Sequence, residues 1–173
     1  MIRIPRLFLR LCPSICMEEI MYQSPDRFFW RTKRILLPVD GSSAAARAAT
    51  VAYEPAEITK GKIFLLHVVN TGMVHQIATM SDTDSLELLT RYIVNGERLL
   101  EGYKKAASGF KLEIEPILEQ GLPSDKIITI AKEKKVDLII MGSQGMTAES
   151  RGGLGSATER VVRKAPCAVL VIR

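Results

Sequence analysis

The chain has 173 residues, 47% of them hydrophobic, so it has room for one domain of ordinary size with a real core. No stretch reaches the roughly 20 uninterrupted apolar residues that a membrane helix needs. The net charge is +5, but seven Arg/Lys and three Asp/Glu fall within residues 1–34, so the body of the chain is nearly neutral. The basic balance belongs to the head and not to a face of the domain, which argues against nucleic acid as a partner.

Residues 1–33 differ from the rest of the chain. Pro5, Pro13 and Pro25 interrupt any helix there. Arg3, Arg6 and Arg10 alternate with Ile4, Leu7, Phe8, Leu9 and Leu11, and Arg6 and Arg10 break what would otherwise be an export-signal core. Two readings stand. The segment rests on a membrane surface or another protein, or it has no such role and is either a disordered extension or a stretch upstream of a true start at Met17 or Met21. Phe28, Phe29 and Trp30 are its candidates for packing on the domain. Cys12 and Cys16 form a lone C-x3-C with no second pair, which is not a zinc site, and Cys167 reads as a buried thiol. Low cysteine content and the absence of a clear export signal point to the cytoplasm.

From Arg34 the pattern becomes regular. "RILLPVD" is a short apolar run ending in a turn and predicts a buried strand. The next run has Ser42 or Ser43 as a helix cap, with Ala45, Ala48, Ala49 and Ala52 on one face. Pro55 should end or bend that helix. "KIFLLHVVN" predicts a second strand, apolar enough for a parallel sheet covered on both faces. Residues 70–83 show no clean period and read as a loop. Leu86, Leu89, Ile93, Gly96, Leu100, Tyr103 and Ala107 then recur at threes and fours, predicting a long helix over 84–107.

"KLEIEPILE" is the third strand, and Pro116 places it near a sheet edge. "LPSDKIITIAKEKK" is the third helix, with Ser124 and Asp125 near its start and lysines in its last turn. "VDLIIM", "SATERVVRKA" and "CAVLVIR" complete the chain as strand, helix and strand. This alternation predicts an open five-stranded parallel sheet with helices on both faces. Ligands of such sheets bind beyond the carboxyl ends of the strands, where strand order reverses. Three loops leave those ends: Asp40–Ser43, Val69 onward, and Gly142–Gly155.

The last of these loops carries the chemistry. Gly142 and Gly145 directly follow a strand, and Gly155 and Ser156 directly precede a helix. Glycines let backbone N–H groups converge on an anion, and the first N–H groups of a helix are unsatisfied and point at the same place. A serine hydroxyl at the helix start adds a donor. A second reading of Ser156 is the capping box Ser156-Ala-Thr-Glu159. That reading leaves Gly142, Gly145, Gly152, Gly153 and Gly155 without a reason. Neither the Walker pattern nor G-x-G-x-x-G is present. Asp40 fits a carboxylate accepting from ribose hydroxyls, or a turn residue before Gly41. His67 reads as a core or strand-end residue and His75 as a solvent-facing one. No nucleophile, base and orienter emerge together, so no catalytic residue is assigned.

Arg34–Arg173 resembles the universal stress protein family. The resemblance is carried by "ILLPVDGS" at 35–42, "LLHVV" at 65–69 and "MGSQGMTAESRGGLGSATERVVRKAPCAVLVIR" at 141–173. The last contains G-x2-G-x9-G-[ST], the signature of that family's ATP-binding branch, at Gly142, Gly145, Gly155 and Ser156. The resemblance implies an adenine nucleotide alpha hydrolase-like fold with strand order 3-2-1-4-5. It implies ATP, ADP or AMP as ligand, with Mg²⁺ or Mn²⁺ held through the phosphates and no metal ligand from the protein. Pro38 and Val39 would line the floor, Asp40 and Val68 would meet adenine and ribose, and Met141 and Gly142 would lie under the ribose. Ser143, Gln144, Gly145, Gly155, Ser156, Ala157 and Thr158 would surround the phosphates.

The implied function is a nucleotide-dependent stress regulator with at most slow hydrolysis; a slow ATPase or nucleotidyl-transfer enzyme and a module that binds no nucleotide are the alternatives. The implied assembly is a homodimer through residues 167–172. The sequence departs from the family at Gln144, where His is common, and at Met146, where Arg is common. Arg151 is the loop's one candidate to replace that cation, and Glu149 its one carboxylate. Gly152 and Gly153 stand where the family has bulkier apolar residues.

Overall fold

A computed structural model describes residues 28–146 and 153–173. The readings made for residues 1–27, for Glu149, for Arg151 and for Gly152 lie outside the described residues. Five strands form one sheet in the order β3-β2-β1-β4-β5, and every pairing is parallel. They are β1 (Arg34–Pro38), β2 (Lys62–Val69), β3 (Glu113–Gln120), β4 (Leu138–Gly142) and β5 (Ala168–Ile172). The helices are α1 (Phe28–Arg31), α2 (Ser43–Thr59), α3 (Thr71–Ser81), α4 (Ser85–Ala106), α5 (Pro123–Glu133) and α6 (Ser156–Lys164).

The centre of the sheet is buried on both sides. Ile35, Leu36 and Leu37 of β1 have no exposed surface. Successive strand residues point to opposite faces. Ile35 and Leu37 therefore join Ile63, Leu65, Ile140 and the alanine face of α2 in one core, closed by Leu100 of α4. Leu36 joins Phe64, Leu66 and Ile139 in a second core under α5 and α6. Full burial of each such side chain contributes about 1.5–3 kcal/mol. Pro116 lies in β3, which is an edge strand, as a residue without an N–H requires. The other edge is β5. Cys167, just before it, is half-buried against the second core, and burial together with the Asp137 charge pushes its thiol up, away from the reactive thiolate.

Two readings of the sequence fail here. Residues 71–81 are helical, not a loop. The Asn70 side chain accepts from the Met73 N–H at 3.2 Å and so caps the start. Val74 and Ala78, four residues apart, are buried, and α3 packs on α4. Only these two of its 11 residues are fully buried, so the face that it turns to the core is short. Pro55 does not end α2, which continues to Thr59. Tyr53 and Ala56, on either side of it, are buried, and this packing outweighs the lost backbone bond. In the first segment, Phe29 and Trp30 of α1 remain 52% and 61% exposed, so their packing on the domain is partial.

Helix α4 approaches β2 closely at Gly96. A Cβ there would lie 2.6 Å from His67 Cδ2 and 2.8 Å from Leu118 Cδ1. The imidazole cannot retreat freely, because its Nδ1 lies 2.8 Å from the Val39 carbonyl oxygen. Gly96→Ala should therefore destabilise the protein in urea titrations. Overpacking costs about 1–3 kcal/mol, against the roughly 1 kcal/mol by which alanine is the better helix former. A higher urea midpoint for the variant would show that α4 is not seated this tightly.

Candidate functional site at the switch point

The strand order reverses between β1 and β4. The chain leaves β1 toward β2 on one side and leaves β4 toward β5 on the other. The two exits diverge and open a crevice beyond the carboxyl ends of both strands.

On the β1 side, Asp40 ties two loops together. Its Oδ1 accepts from the Ser42 N–H at 3.0 Å, forming a tight turn over Gly41, whose φ of +88° is one that glycine adopts without strain. Its Oδ2 accepts from the Met146 N–H at 2.9 Å, across 106 positions of sequence. Both readings of Asp40 share this geometry. It is a turn residue, and each oxygen retains a lone pair for a further donor. Ser42, not Ser43, caps α2, accepting from the Ala45 N–H at 3.1 Å. The Asp40 charge also reaches Tyr103, whose hydroxyl is pushed up mainly by burial and secondarily by this carboxylate.

On the β4 side, the three signature glycines have three different reasons. A Cβ on Gly142 would lie 2.8–2.9 Å from the backbone and Cβ of Ala44 and from the Ala45 nitrogen. Gly142 is therefore what lets the first turn of α2 sit on the end of β4. A Cβ on Gly145 would lie 2.6 Å from Asp40 Oδ2. A Cβ on Gly155 would meet the chain at 3.4–3.6 Å, an ordinary contact, and its φ of −65° is open to any residue. The protein itself does not require glycine at 155.

Gly155 is the N-cap of α6, and no side-chain cap is present among the described residues. This corrects the capping-box reading of Ser156. The helix begins one residue earlier than that box needs, so Ser156 occupies the first helical position. Glu159 pairs with Arg163 at 2.7 Å instead. Among the described residues, no side chain caps the N–H groups of the first turn. Thr158 turns its hydroxyl inward and donates to the Gly142 carbonyl at 3.0 Å, pinning α6 to the end of β4. Gln144 donates to the Gly153 carbonyl at 2.8 Å and so bridges the two ends of the loop.

These elements enclose a cleft of about 650 Å³. Of the residues singled out in the sequence, Pro38, Val39, Asp40, Val68, Met141 and Gly142 line it. So do Gln144, Gly145, Gly155, Ser156, Ala157 and Thr158. Ser143 does not. It is buried behind the wall, donating its N–H to the Ile172 carbonyl at 2.7 Å and accepting from the Gly155 N–H at 2.8 Å. His67 also lines the cleft, and since a carbonyl only accepts, its Nδ1 carries the proton in the contact with Val39. His75 is exposed on α3. Among the described residues, no serine hydroxyl bonds to either histidine and no group of three metal-ligating side chains assembles.

Sequence reasoning missed one wall. Leu122, Pro123, Ser124 and Ile127 from the start of α5 line the cleft, with Met73 of α3 and Arg160 of α6. A signal was available. The end of β3 lies beside the end of β2, so the loop after β3 reaches the same crevice as the other exits. In the sequence, "LPSD" reads only as a helix start.

Residues 31–173 match the universal stress protein family. The chain belongs to that family. It is 33% identical over 142 residues to a universal stress protein of Methanocaldococcus jannaschii, covering 82% of each chain. Its structure resembles the universal stress protein UspA from Lactobacillus plantarum with a TM-score of 0.73 and 28% identity, covering 83% of this chain and 99% of that one. An Arabidopsis thaliana protein of the family, solved with AMP bound, shares the fold at a TM-score of 0.55 and 22% identity, over 81% of this chain and 90% of that one.

The different reasons for the glycines separate by stability. Gly142→Ala should lower unfolding free energy by about 1–3 kcal/mol, the usual cost of forcing an atom into a filled space. Gly155→Ala should cost no more than about 1 kcal/mol, the N-cap preference of glycine over alanine. Equal losses in chemical denaturation would overturn the assignment of separate roles.

Proposed function

We propose that this universal stress protein belongs to the ATP-binding branch of its family and that occupancy of the cleft by an adenine nucleotide is its signal, with at most slow hydrolysis. The observation that carries this reading is the start of α6. It is uncapped by any described side chain, opens on the cleft, and is preceded by a glycine that the fold does not itself require. A ligand that approaches the backbone there explains the glycine, and an anion complements the free N–H groups. The AMP-bound Arabidopsis protein has the same fold.

In this reading Pro38 and Val39 form the floor. Val68 and Asp40 meet the adenine and ribose, with Met141 and Gly142 beneath the sugar. Gln144, Gly145, Gly155, Ser156, Ala157 and Thr158 surround the phosphates, and Ser143 supports them from behind through its bond to Gly155. Magnesium or manganese, when bound, neutralises phosphate charge and is held chiefly by the nucleotide oxygens. His67 is oriented by its bond to the Val39 carbonyl and packs closely against Gly96.

We also propose that β5 pairs antiparallel with β5 of a second copy. It is an edge strand of five residues in which Val169 to Ile172 are only half-buried, and such an edge invites pairing.

Adenine nucleotide should be released when gently purified protein is denatured and examined by mass spectrometry. Absence of nucleotide, together with no heat of Mg-ATP binding by calorimetry, sinks the reading. Gly155→Val should abolish binding while leaving a cooperative unfolding transition. In light scattering the wild type should have the mass of two chains, and Val171→Lys that of one; a wild-type monomer at all concentrations would disprove the pairing.

A further inference from the structure

A nucleotide triphosphate brings several negative charges to the start of α6, and the cleft must answer them. The position where the family commonly has an arginine is Met146 in this chain, 67% exposed and uncharged. Among the described residues that line the cleft, Arg160 is the only lysine or arginine. Its placement follows from helix geometry. It lies four residues after Ser156, on the same face of α6. Helical side chains lean toward the N-terminus, so the guanidinium is carried up toward the first turn, where the free N–H groups are.

In this structure Arg160 donates from Nη2 to Asp125 Oδ1 at 2.5 Å, which joins α6 to the first turn of α5. The side chains are 44% and 50% exposed. Pairs so open to water are screened and hold weakly, so this one exchanges readily. A phosphate offers the guanidinium a stronger, two-pronged partner. Asp125 is not orphaned by the exchange, because a carboxylate in the first turn of α5 is favoured by the helix dipole. The nearby cations differ. Arg163 pairs with Glu159 and Lys126 with Glu119, and neither lines the cleft.

We propose that Arg160 reads the phosphate number of the bound nucleotide, leaving Asp125 for the phosphates beyond the first. This rests on the nucleotide reading above. The single phosphate of AMP is met by the first turn of α6, and the added phosphates of ATP extend to Arg160. The arrangement makes Asp125 a competitor of the ligand, so removing its charge strengthens ATP binding.

The test is calorimetry of the full chain with Mg-ATP and with AMP, for wild type, Arg160→Gln, Arg160→Lys and Asp125→Asn, with thermal unfolding as the control for folding. Arg160→Gln should weaken ATP by about tenfold or more, the loss of at least one charge-assisted hydrogen bond, and change AMP by less than about twofold. Arg160→Lys should fall between wild type and Arg160→Gln, since it keeps the charge and loses the fork. Asp125→Asn should tighten ATP and leave AMP unchanged. Wild type that binds both nucleotides, with Arg160→Gln weakening them equally or not at all, overturns the role of Arg160 and leaves the nucleotide reading intact. Wild type that binds neither overturns both.

Discussion

Two-sided burial of β1 is the constraint on which the rest of this structure depends. Ile35, Leu36 and Leu37 are adjacent in sequence, so their side chains alternate between the two faces of the sheet, and all three are sealed from water. That requires helices on both faces. Parallel strands joined by right-handed crossovers supply them, with α2 and α4 over one face and α5 and α6 over the other. Once β1 is central, the strands fed from it divide into two directions, and the backbone between β1 and β4 must part. The cleft is the consequence of that parting. It is a feature of the connectivity before it is a feature of any side chain.

What fills the parting is mostly backbone, held in place by few side chains. Asp40 fastens the β1 exit to the β4 exit through two N–H groups. Thr158 fastens α6 to the end of β4. Ser143 does neither job from within the cleft; its main chain connects β5, the end of β4 and the start of α6. The result is a rim whose donors are amides fixed before any ligand arrives. Amides held in this way stabilise negative charge without rearranging when it arrives.

The glycine signature shows how one short pattern combines unrelated demands. At Gly142 the demand is packing between a helix start and a strand end. At Gly145 it is room for the Asp40 carboxylate. Only at Gly155 would the chain accept a Cβ at ordinary contact distance. A sequence pattern cannot separate these, since all appear as the same letter. The same holds for charge. The departure at Met146 is visible in the sequence as a missing cation, whereas Arg160 reads there as one more exposed residue of a polar helix. Its meaning comes from lying next to α5, whose first turn is 35 positions away in the chain.

By itself, the sequence determined the elements with strong periods: five strands, the alanine-faced α2, the long α4, the edge position of Pro116, and a glycine-rich loop at a strand-to-helix junction. These depend on spacing within a dozen residues, and spacing survives in a one-dimensional string. The strand order, and the family to which the chain belongs, were legible through resemblance at 35–42, 65–69 and 141–173. Only the tertiary structure decided the rest. It made a helix of 71–81 because α4 was there to bury Val74 and Ala78, and it carried α2 past Pro55 because Tyr53 and Ala56 were already packed. It moved the cap of α6 from Ser156 to Gly155 and brought the start of α5 to the cleft. In each case the deciding partner lies on another element, and its contribution enters the energy only after the chain has folded.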